Sequence, residues 1–301
     1  MRFQNKPGRF LLIFDEKDLP LTIDAFMDRF LQSSKNRYLL KQDSSFTLNH
    51  KHITDFSTEL KAHDQLMIPN HPAEPGFPEA NKECKVVYED DFVYAVHKNP
   101  GCIIYGEPED KKCLAAQAAA WQANHGIHTP VRYLHRLDEA TAGLVLFSKI
   151  PFFQPWLDSQ MEQKKIEQHY LAVTTGTCKL RQLFTFNQAI GKDRHVNGKY
   201  RISATGKQAC TRAVCVAKSG PLLLFSCNLL TGRTHQIRVH LSNAGFPIVN
   251  DPLYGTPNTG FEEMGLWADQ LTYIHPLTGV SITINDIPNP AYERFAYKIE
   301  H

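Results

Sequence analysis

The amino-acid sequence predicts an α+β protein in which helices flank a mixed, largely antiparallel central sheet, preceded by a small N-terminal α+β domain. Three observations support this prediction. Strand and helix patterns alternate along the chain without the regular spacing of βαβ units. The 301 residues and 42% hydrophobic content suffice for a large core and a smaller second domain. A proline-rich stretch near residue 70 separates the two parts.

Residues 1–68 are predicted to form the small domain. Apolar residues at 23, 26, 27, 30 and 31 recur at helical spacing. A second helix is expected around residues 35–40, followed by short strands around a turn at Asn49. The apolar HDQLMIP predicts a final strand.

Residues 69–84 are predicted to be a linker. Prolines fall at 69, 72, 75 and 78, and each fixes φ and removes a backbone donor. Proline at every third position favours an extended, semi-rigid spacer. The remaining residues, 85–301, are therefore expected to form the larger domain.

The first half of this domain mixes strands and helices. KVVYEDDFVYAVHKNPG is typical of two short strands closed by a turn. KCLAAQAAAWQANHG contains strong helix formers and ends at a glycine. A buried strand is expected at residues 144–147, and PFFQPWLDSQMEQKK should become helical. IEQHYLAVTTG predicts the next strand.

The second half begins with basic strands. Turns at Asn197-Gly198 and Thr205-Gly206 divide GKDRHVNGKYRISATGKQACTRAVCVAKSG into short strands. PLLLFSCNLLTG predicts a further strand, and RTHQIRVHLSNAG predicts a helix that stops at Gly245.

Charge is distributed unevenly along the chain. Residues 1–75 contain 10 basic and 10 acidic side chains, residues 168–250 contain 11 basic and one acidic, and residues 251–301 contain 2 basic and 7 acidic. This asymmetry predicts a positive face that binds a polyanion, unless the basic side chains scatter over the sheet. The candidate contacts in this region are Lys192, Arg194, Lys207 and Arg212.

Cysteine usage and hydropathy indicate a cytoplasmic protein. Seven cysteines, with no CxxC pair, are typical of reduced thiols and not of a disulfide framework or a zinc site. The N-terminal apolar run of five residues is too short for a signal peptide. No segment approaches the roughly 20 apolar residues that span a bilayer. We expect no membrane association, and a monomer.

The stretch YLHRLDEATAG groups His135, Arg136 and Asp138 at the end of a strand. A lone aspartate in a loop usually caps a turn. Here a cation two residues away favours the charged carboxylate, which can act as a nucleophile or a base.

The stretch LLTGRTHQIRVHLSNAG places Arg233 at a strand-to-helix junction and Arg238 further along. A guanidinium at such a junction can pair with a carboxylate from another loop or clamp a phosphate, although a structural ion pair would look the same. His235 and His240 are five residues apart, which does not fit a helical metal site. Tyr170 by itself is typical of a core aromatic residue. No P-loop, GxGxxG or GxSxG occurs.

Taken together, these stretches resemble the RluA-type pseudouridine synthases. HRLDEATAG followed by LVLFSK is similar to the family's HRLD signature, and TGRTHQIRVHLSNAGFPIVNDPLYG to its third motif. KKIEQHYLAVTTG and GKQACTRAVCV are similar to two further segments, and the order is preserved from about residue 86 to 280.

The resemblance implies a pseudouridine synthase fold and the isomerisation of uridine to pseudouridine in ribosomal or transfer RNA. It implies that Asp138 is the catalytic carboxylate, that Tyr170 lies against the target base, and that Arg233 pairs with Asp138. Arg136 would fill the gap that the flipped base leaves. RNA contacts are also expected from His135, His235 and Arg238. This reaction needs no oxidant or group donor, so no cofactor or metal is predicted.

The chain departs from the family pattern in two places. Ala142 replaces the serine that usually follows the threonine of the HRLD motif. Residues 1–68 are similar to a degenerate alpha-L RNA-binding motif, with Lys35, His50 and His63 at its altered positions. Two alternatives stay open. One is a retired synthase that only binds or chaperones RNA, and the other is a hydrolase with paired carboxylates, which needs a second acid near Asp138, whereas the adjacent Glu139 would point elsewhere.

Overall fold

The computed structural model describes residues 1–107 and 109–296. It contains five α-helices, α1 to α5, and three short 3₁₀ helices in this part of the chain. The α-helices are Ile23–Arg29, Ser34–Gln42, Leu114–Asn124, Gln154–Glu162 and Gln236–Asn243. The 3₁₀ helices are Glu16–Asp18, Pro151–Phe153 and Pro290–Phe295.

Seventeen β-strands, β1 to β17, accompany these helices in the described residues. In chain order they are Arg2–Lys6, Arg9–Ile13, Thr47–Leu48, Lys51–His52, Gln65–Pro69, Lys85–Glu89, Val93–Lys98, Arg132–Tyr133, Ala142–Ser148, Glu167–Thr175, Leu183–Phe186, Ile190–Lys192, Tyr200–Ile202, Thr211–Ser219, Leu222–Leu229, Leu266–Ile274 and Ser281–Asn285.

A ten-stranded sheet forms the centre of the molecule. Its main order is β11-β14-β15-β10-β16-β9-β7-β6, with β17 paired to β16 and β8 paired to β9. Every pairing is antiparallel except that of β16 with β9. The predicted α+β class with a mixed, largely antiparallel sheet is therefore confirmed.

Alternating side chains give the central sheet two apolar faces. One face carries Tyr94, Val145 and Tyr170, and helices α3 and α5 pack against it. The other face carries Ala95 and Leu146, which pack against α4 and the N-terminal segment. This arrangement places Tyr170 on the same face as α5.

The N-terminal segment forms its own five-stranded sheet in the order β1-β2-β5-β3-β4. Its core is continuous with the second face of the central sheet. Phe30 of the N-terminal segment and Phe153, which follows β9 of the central sheet, lie with ring centroids 5.0 Å apart. The buried Gln32 carboxamide donates to the backbone oxygen of Phe152 at 2.7 Å. The two sheets thus share one apolar cluster.

Several local expectations agree with the structure, and others need correction. Helix α2, the hairpin around Asn49 and strand β5 lie where the sequence indicates. The predicted helix RTHQIRVHLSNAG begins only at Gln236, because His235 adopts a left-handed conformation with φ of 56°. Strands β16 and β17 were not expected from the sequence pattern. None of the described helices has the length and apolar character needed to cross a bilayer.

Phe153→Ala should destabilise the whole chain, because Phe153 is fully buried and belongs to the cluster that both sheets share. We expect a loss of about 3–5 kcal/mol in the free energy of unfolding, with a single transition retained. Urea unfolding, followed by tryptophan fluorescence and by far-UV circular dichroism, measures the free energy of unfolding and the number of transitions. Ile287→Ala, at a position that is 83% exposed, is the control. Two separate transitions, with only one displaced, would contradict the shared core.

Candidate active site

A cavity of about 650 Å³ opens on the face of the sheet that carries Tyr170. Its walls come from the loop after β7, the loop between β8 and β9, strand β10, and the β15–α5 junction. Asp138, Tyr170 and Arg233 all line it. The structure therefore brings together three candidate residues that are far apart in sequence.

Asp138 is held by an arginine from helix α5. Nη1 of Arg238 donates to Oδ2 of Asp138 at 2.9 Å. The other side of the same guanidinium meets Asp251, with Nε to Oδ2 at 2.8 Å and Nη2 to Oδ1 at 2.9 Å. Burial alone would lower the pKa of Arg238, but the hydrogen bonds and charge of Asp251, followed by those of Asp138, raise it above its ordinary value. Arg238 therefore stays protonated and connects Asp138 to Asp251 through three hydrogen bonds.

The predicted pairing of Arg233 with Asp138 is wrong. Arg233 is exposed, and its Nε donates to the backbone oxygen of Gln208 at 2.9 Å. It precedes the first residue of α5, whereas Arg238 lies within the helix and faces the loop. Arg238 does not fit the expected RNA-contacting role. Only 3% of it is exposed, and its guanidinium is already bound to Asp138 and Asp251.

His135 is also not placed for RNA contact. It is buried, its Nε2 accepts from the Leu146 N–H at 3.2 Å, and its Nδ1 lies 2.8 Å from the Gln168 carboxamide. Burial, followed by the charge of Lys164, lowers the pKa of His135 to about 4. This neutral histidine anchors the start of the loop that contains Asp138.

His235 lies beside the carboxylate. Its Nε2 is 3.9 Å from Oδ2 of Asp138, and its Nδ1 is 2.9 Å from the hydroxyl of Tyr254. Burial lowers the pKa of His235, while the charge of Asp138 opposes this shift. His235 therefore belongs to the wall of the cavity, and its expected contact with RNA stays a prediction.

Tyr170 points into the cavity from β10. It is buried, and burial, followed by the charges of Asp138 and Asp269, raises its pKa above the ordinary value, so the phenol stays protonated at neutral pH. Behind it, His169 connects three strands, with Nδ1 2.7 Å from Asp269 and Nε2 2.6 Å from Ser226. This network fixes the strand that carries Tyr170.

Lys98 was not expected from the sequence, yet it fixes the loop that contains Asp138. It is fully buried, and its Nζ donates to the backbone oxygens of Asn99, Cys102 and Glu139 at 3.1, 2.7 and 2.8 Å. Burial lowers the pKa of Lys98 to about 8. The sequence does not indicate this role of Lys98, because a lysine at the end of a strand is usually solvated.

Gly143 allows the strand after the loop to pack closely. A Cβ built on it would lie 2.2 Å from the backbone oxygen of Ala268, and its φ is 113°. Here β9 and β16 make their parallel contact, pairing Ala142 with Trp267 and Gly143 with Ala268. The glycine of the TAG turn is therefore required by close approach of the backbone.

The remaining candidates are exposed. Arg136 lies at the mouth of the cavity. The four predicted RNA contacts of the basic region are exposed at strand β12, in the turns that follow and on β14: Lys192, Arg194, Lys207 and Arg212. The β12–β13 hairpin contacts the site through the Tyr200 N–H, which donates to the Tyr254 hydroxyl at 2.7 Å.

Asp251 and Tyr254 also belong to the site, although their positions in the sequence alone predict no role for them. Both lie in the DPLYG stretch, whose resemblance to the family motif was the available signal. Within residues 1–107 and 109–296, no three His, Cys, Asp or Glu side chains are grouped so that they could hold a metal ion.

Comparison with known proteins identifies relatives of this chain. Residues 92–243 match the family described as RNA pseudouridylate synthase. The uncharacterised RNA pseudouridine synthase YhcT of Bacillus subtilis (strain 168) is 30% identical over 95% of this chain and 96% of its own. Ribosomal large subunit pseudouridine synthase C of Vibrio vulnificus (strain CMCP6) is 28% identical over 90% of each. The structure of human RNA Pseudouridylate Synthase Domain Containing 1 has a similar fold, with a TM-score of 0.57, 23% identity, and 71% of this chain and 86% of that chain covered.

The buried His135 predicts a specific pH dependence of stability. Its pKa falls from an ordinary 6.5 to about 4 on folding, so between these values only the unfolded chain binds the proton. The free energy of unfolding should therefore fall as pH decreases from 6.5 to 4, with a contribution of about 3 kcal/mol from this side chain.

Urea unfolding at intervals across this range tests the effect in wild type and His135→Gln. The variant should show a shallower dependence on pH, whereas His195→Gln, at an exposed histidine, should keep the wild-type slope. An identical slope in wild type and His135→Gln would exclude the assignment.

Proposed function

This chain belongs to the RNA pseudouridylate synthase family and is an RNA-modifying isomerase, and we propose that it converts specific uridines of ribosomal or transfer RNA to pseudouridine with Asp138 as the catalytic carboxylate. The single observation that carries the proposal is the contact of Asp138 with the buried Arg238 inside a cavity that Tyr170 also lines. The name of the Vibrio vulnificus relative, a ribosomal large subunit enzyme, supports ribosomal RNA as the first target to examine.

The geometry supports a division of roles at the uridine. Arg238 fixes Asp138, so one oxygen is engaged and the carboxylate keeps one orientation. Asp138 acts either on the base, on the sugar carbon, or on a sugar proton, while the bond between N1 and the sugar C1′ breaks and a bond between C5 and C1′ forms. In the rearrangement C5 loses a proton and N1 gains one. Tyr170, protonated and buried, lies against the base and can exchange a proton with it. Because the cavity is preformed, the detached base can turn without escaping.

Entry of the uridine requires its extrusion from the RNA stack, which costs a few kcal/mol. Arg136 at the mouth of the cavity is placed to occupy the gap. The exposed basic residues Lys192, Arg194, Lys207 and Arg212 can contact phosphates and offset this cost.

We assign these steps to residues 85–301 as the catalytic domain, with residues 69–84 as a linker. Residues 1–68 would act as a degenerate RNA-binding domain that contributes weakly to affinity. We further propose that the protein works in the cytoplasm as a monomer, without a cofactor.

Site-mapped pseudouridine in total RNA tests the function directly. Cells that lack the protein should lose pseudouridine at one or a few positions, and wild type should restore it. Unchanged modification in these cells, together with no activity of the purified protein on any RNA pool, would refute the proposal. A phenotype that Asp138→Ala rescues fully would instead favour a retired synthase that binds RNA.

Asp138→Asn should abolish turnover while preserving RNA binding. The substitution keeps the size of the side chain but replaces the carboxylate that would act as a nucleophile or abstract a proton. We therefore expect kcat to fall roughly 10³-fold or more. Single-turnover assays on the mapped RNA measure the rate, and filter binding measures the affinity. Residual turnover within tenfold of wild type would exclude Asp138 from catalysis.

Arg238→Lys and Arg233→Met should have opposite kinetic signatures. Lysine cannot span both Asp251 and Asp138, so we expect kcat to fall about 100-fold as the carboxylate loses its position. Arg233 is exposed, so its loss should mainly raise KM, and should reduce the salt dependence of binding by about one phosphate contact. Equal effects on kcat would contradict the assignment of Arg238 as the partner of Asp138.

A further inference from the structure

Three side chains form a continuous contact at the mouth of the cavity. Nη1 of Arg136 donates to the phenolic oxygen of Tyr105 at 3.0 Å. The guanidinium carbon lies 5.9 Å from the centre of the Tyr105 ring. That ring is parallel to the ring of Tyr133, with centroids 5.8 Å apart and planes 4° apart.

This contact determines where the Arg136 guanidinium lies. In the described part of the chain, Arg136 forms no ion pair and has no hydrogen bond other than the one to Tyr105. An exposed arginine without a partner samples many rotamers, and fixing it for binding costs conformational entropy. Tyr105 removes part of this cost, because its hydroxyl accepts a hydrogen bond from Nη1 and its ring lies within cation–π distance of the guanidinium.

Tyr105 is itself connected to the rigid sheet. Its partner Tyr133 belongs to β8 and pairs with Phe147 of β9. The loop of Tyr105 begins at Lys98, whose ammonium group also holds the backbone of Glu139. Tyr105 is therefore connected to the sheet both by its ring contact with Tyr133 and by a loop that Lys98 holds at Cys102. Nevertheless Tyr105 is 45% exposed and lines the cavity, so RNA can reach it.

We infer that Tyr105 is a positioning residue that holds Arg136 ready to enter the base stack when the target uridine leaves it. The inference rests on the proposed function, in which Arg136 occupies the vacated position. A planar guanidinium can stack between bases, and its contact with Tyr105 limits the orientations that it samples before the uridine leaves the stack. Tyr105 should therefore matter for a uridine that must be unstacked, and little for one that is already unstacked.

The test compares two RNA probes that contain the mapped uridine. One is a hairpin transcript with the uridine inside its stem, and the other is a short linear oligoribonucleotide of the same local sequence. The variants are Tyr105→Phe, which removes only the hydrogen bond, Tyr105→Leu, which removes hydrogen bond and ring, Arg136→Ala, and the double variant Tyr105→Leu/Arg136→Ala.

On the hairpin we expect kcat/KM to fall about threefold to tenfold for Tyr105→Phe and about tenfold or more for Tyr105→Leu. On the linear RNA both variants should stay within about twofold of wild type. In the Arg136→Ala background, Tyr105→Leu should add nothing, because the tyrosine acts through the arginine. Arg132→Ala, at an exposed arginine of β8, is the matched control and should combine additively with Tyr105→Leu.

A spectroscopic measurement separates positioning from general stability. 2-Aminopurine next to the target uridine in the hairpin should brighten when wild type unstacks the site, and should brighten less with Tyr105→Leu at saturating protein. Equal losses on both probes, or additive effects of Tyr105→Leu and Arg136→Ala, would overturn the inference while the proposed function stands. Absence of pseudouridine with wild type on every RNA would instead overturn the proposed function, and this inference with it.

Discussion

The structure of the site depends on one buried guanidinium that bridges two carboxylates. Moving an arginine and two aspartates out of water is costly, and the cost is offset only if every charged atom finds a partner with good geometry. Arg238 meets this condition, because two of its nitrogens bind Asp251 and a third binds Asp138. Asp251 accepts two further backbone hydrogen bonds, from Leu253 and Tyr254. The carboxylate of Asp138 is therefore held by an interaction that tolerates little displacement.

This interaction constrains three distant parts of the chain at once. Helix α5 supplies the arginine, the turn after it supplies Asp251, and the loop between β8 and β9 supplies Asp138. Each part has its own support: the left-handed His235 starts α5, His135 anchors the loop at one end, and Lys98 holds it at Glu139. These supports lie inside the protein, whereas the cations Arg136 and Arg233 of the site are exposed.

The N-terminal sheet contributes to the same rigidity from the opposite face. Its aromatic cluster packs beneath β7 and β9, the strands that end or begin at Lys98 and Ala142. The N-terminal segment therefore contributes to the apolar packing of the strands from which the loops of the site extend. The small and the large part of the chain thus have separate β-sheets, but their apolar side chains pack in one cluster.

The sequence by itself determined the fold class, the family and the identity of the candidate carboxylate. These follow from local patterns: alternating apolar residues, helix formers ending at glycine, and the ordered motifs around Asp138 and Arg238. It also indicated Tyr170, although only through resemblance, since a tyrosine on an apolar strand looks like a core residue.

The tertiary structure decided which arginine binds Asp138. Arg233 and Arg238 lie in the same motif, but Arg233 precedes helix α5 and Arg238 lies within it, and only Arg238 contacts the carboxylate. It also decided that His135 is a buried anchor and that Lys98 and Tyr105 belong to the site. Such contacts join residues that are distant in sequence, and no local pattern encodes which of them meet.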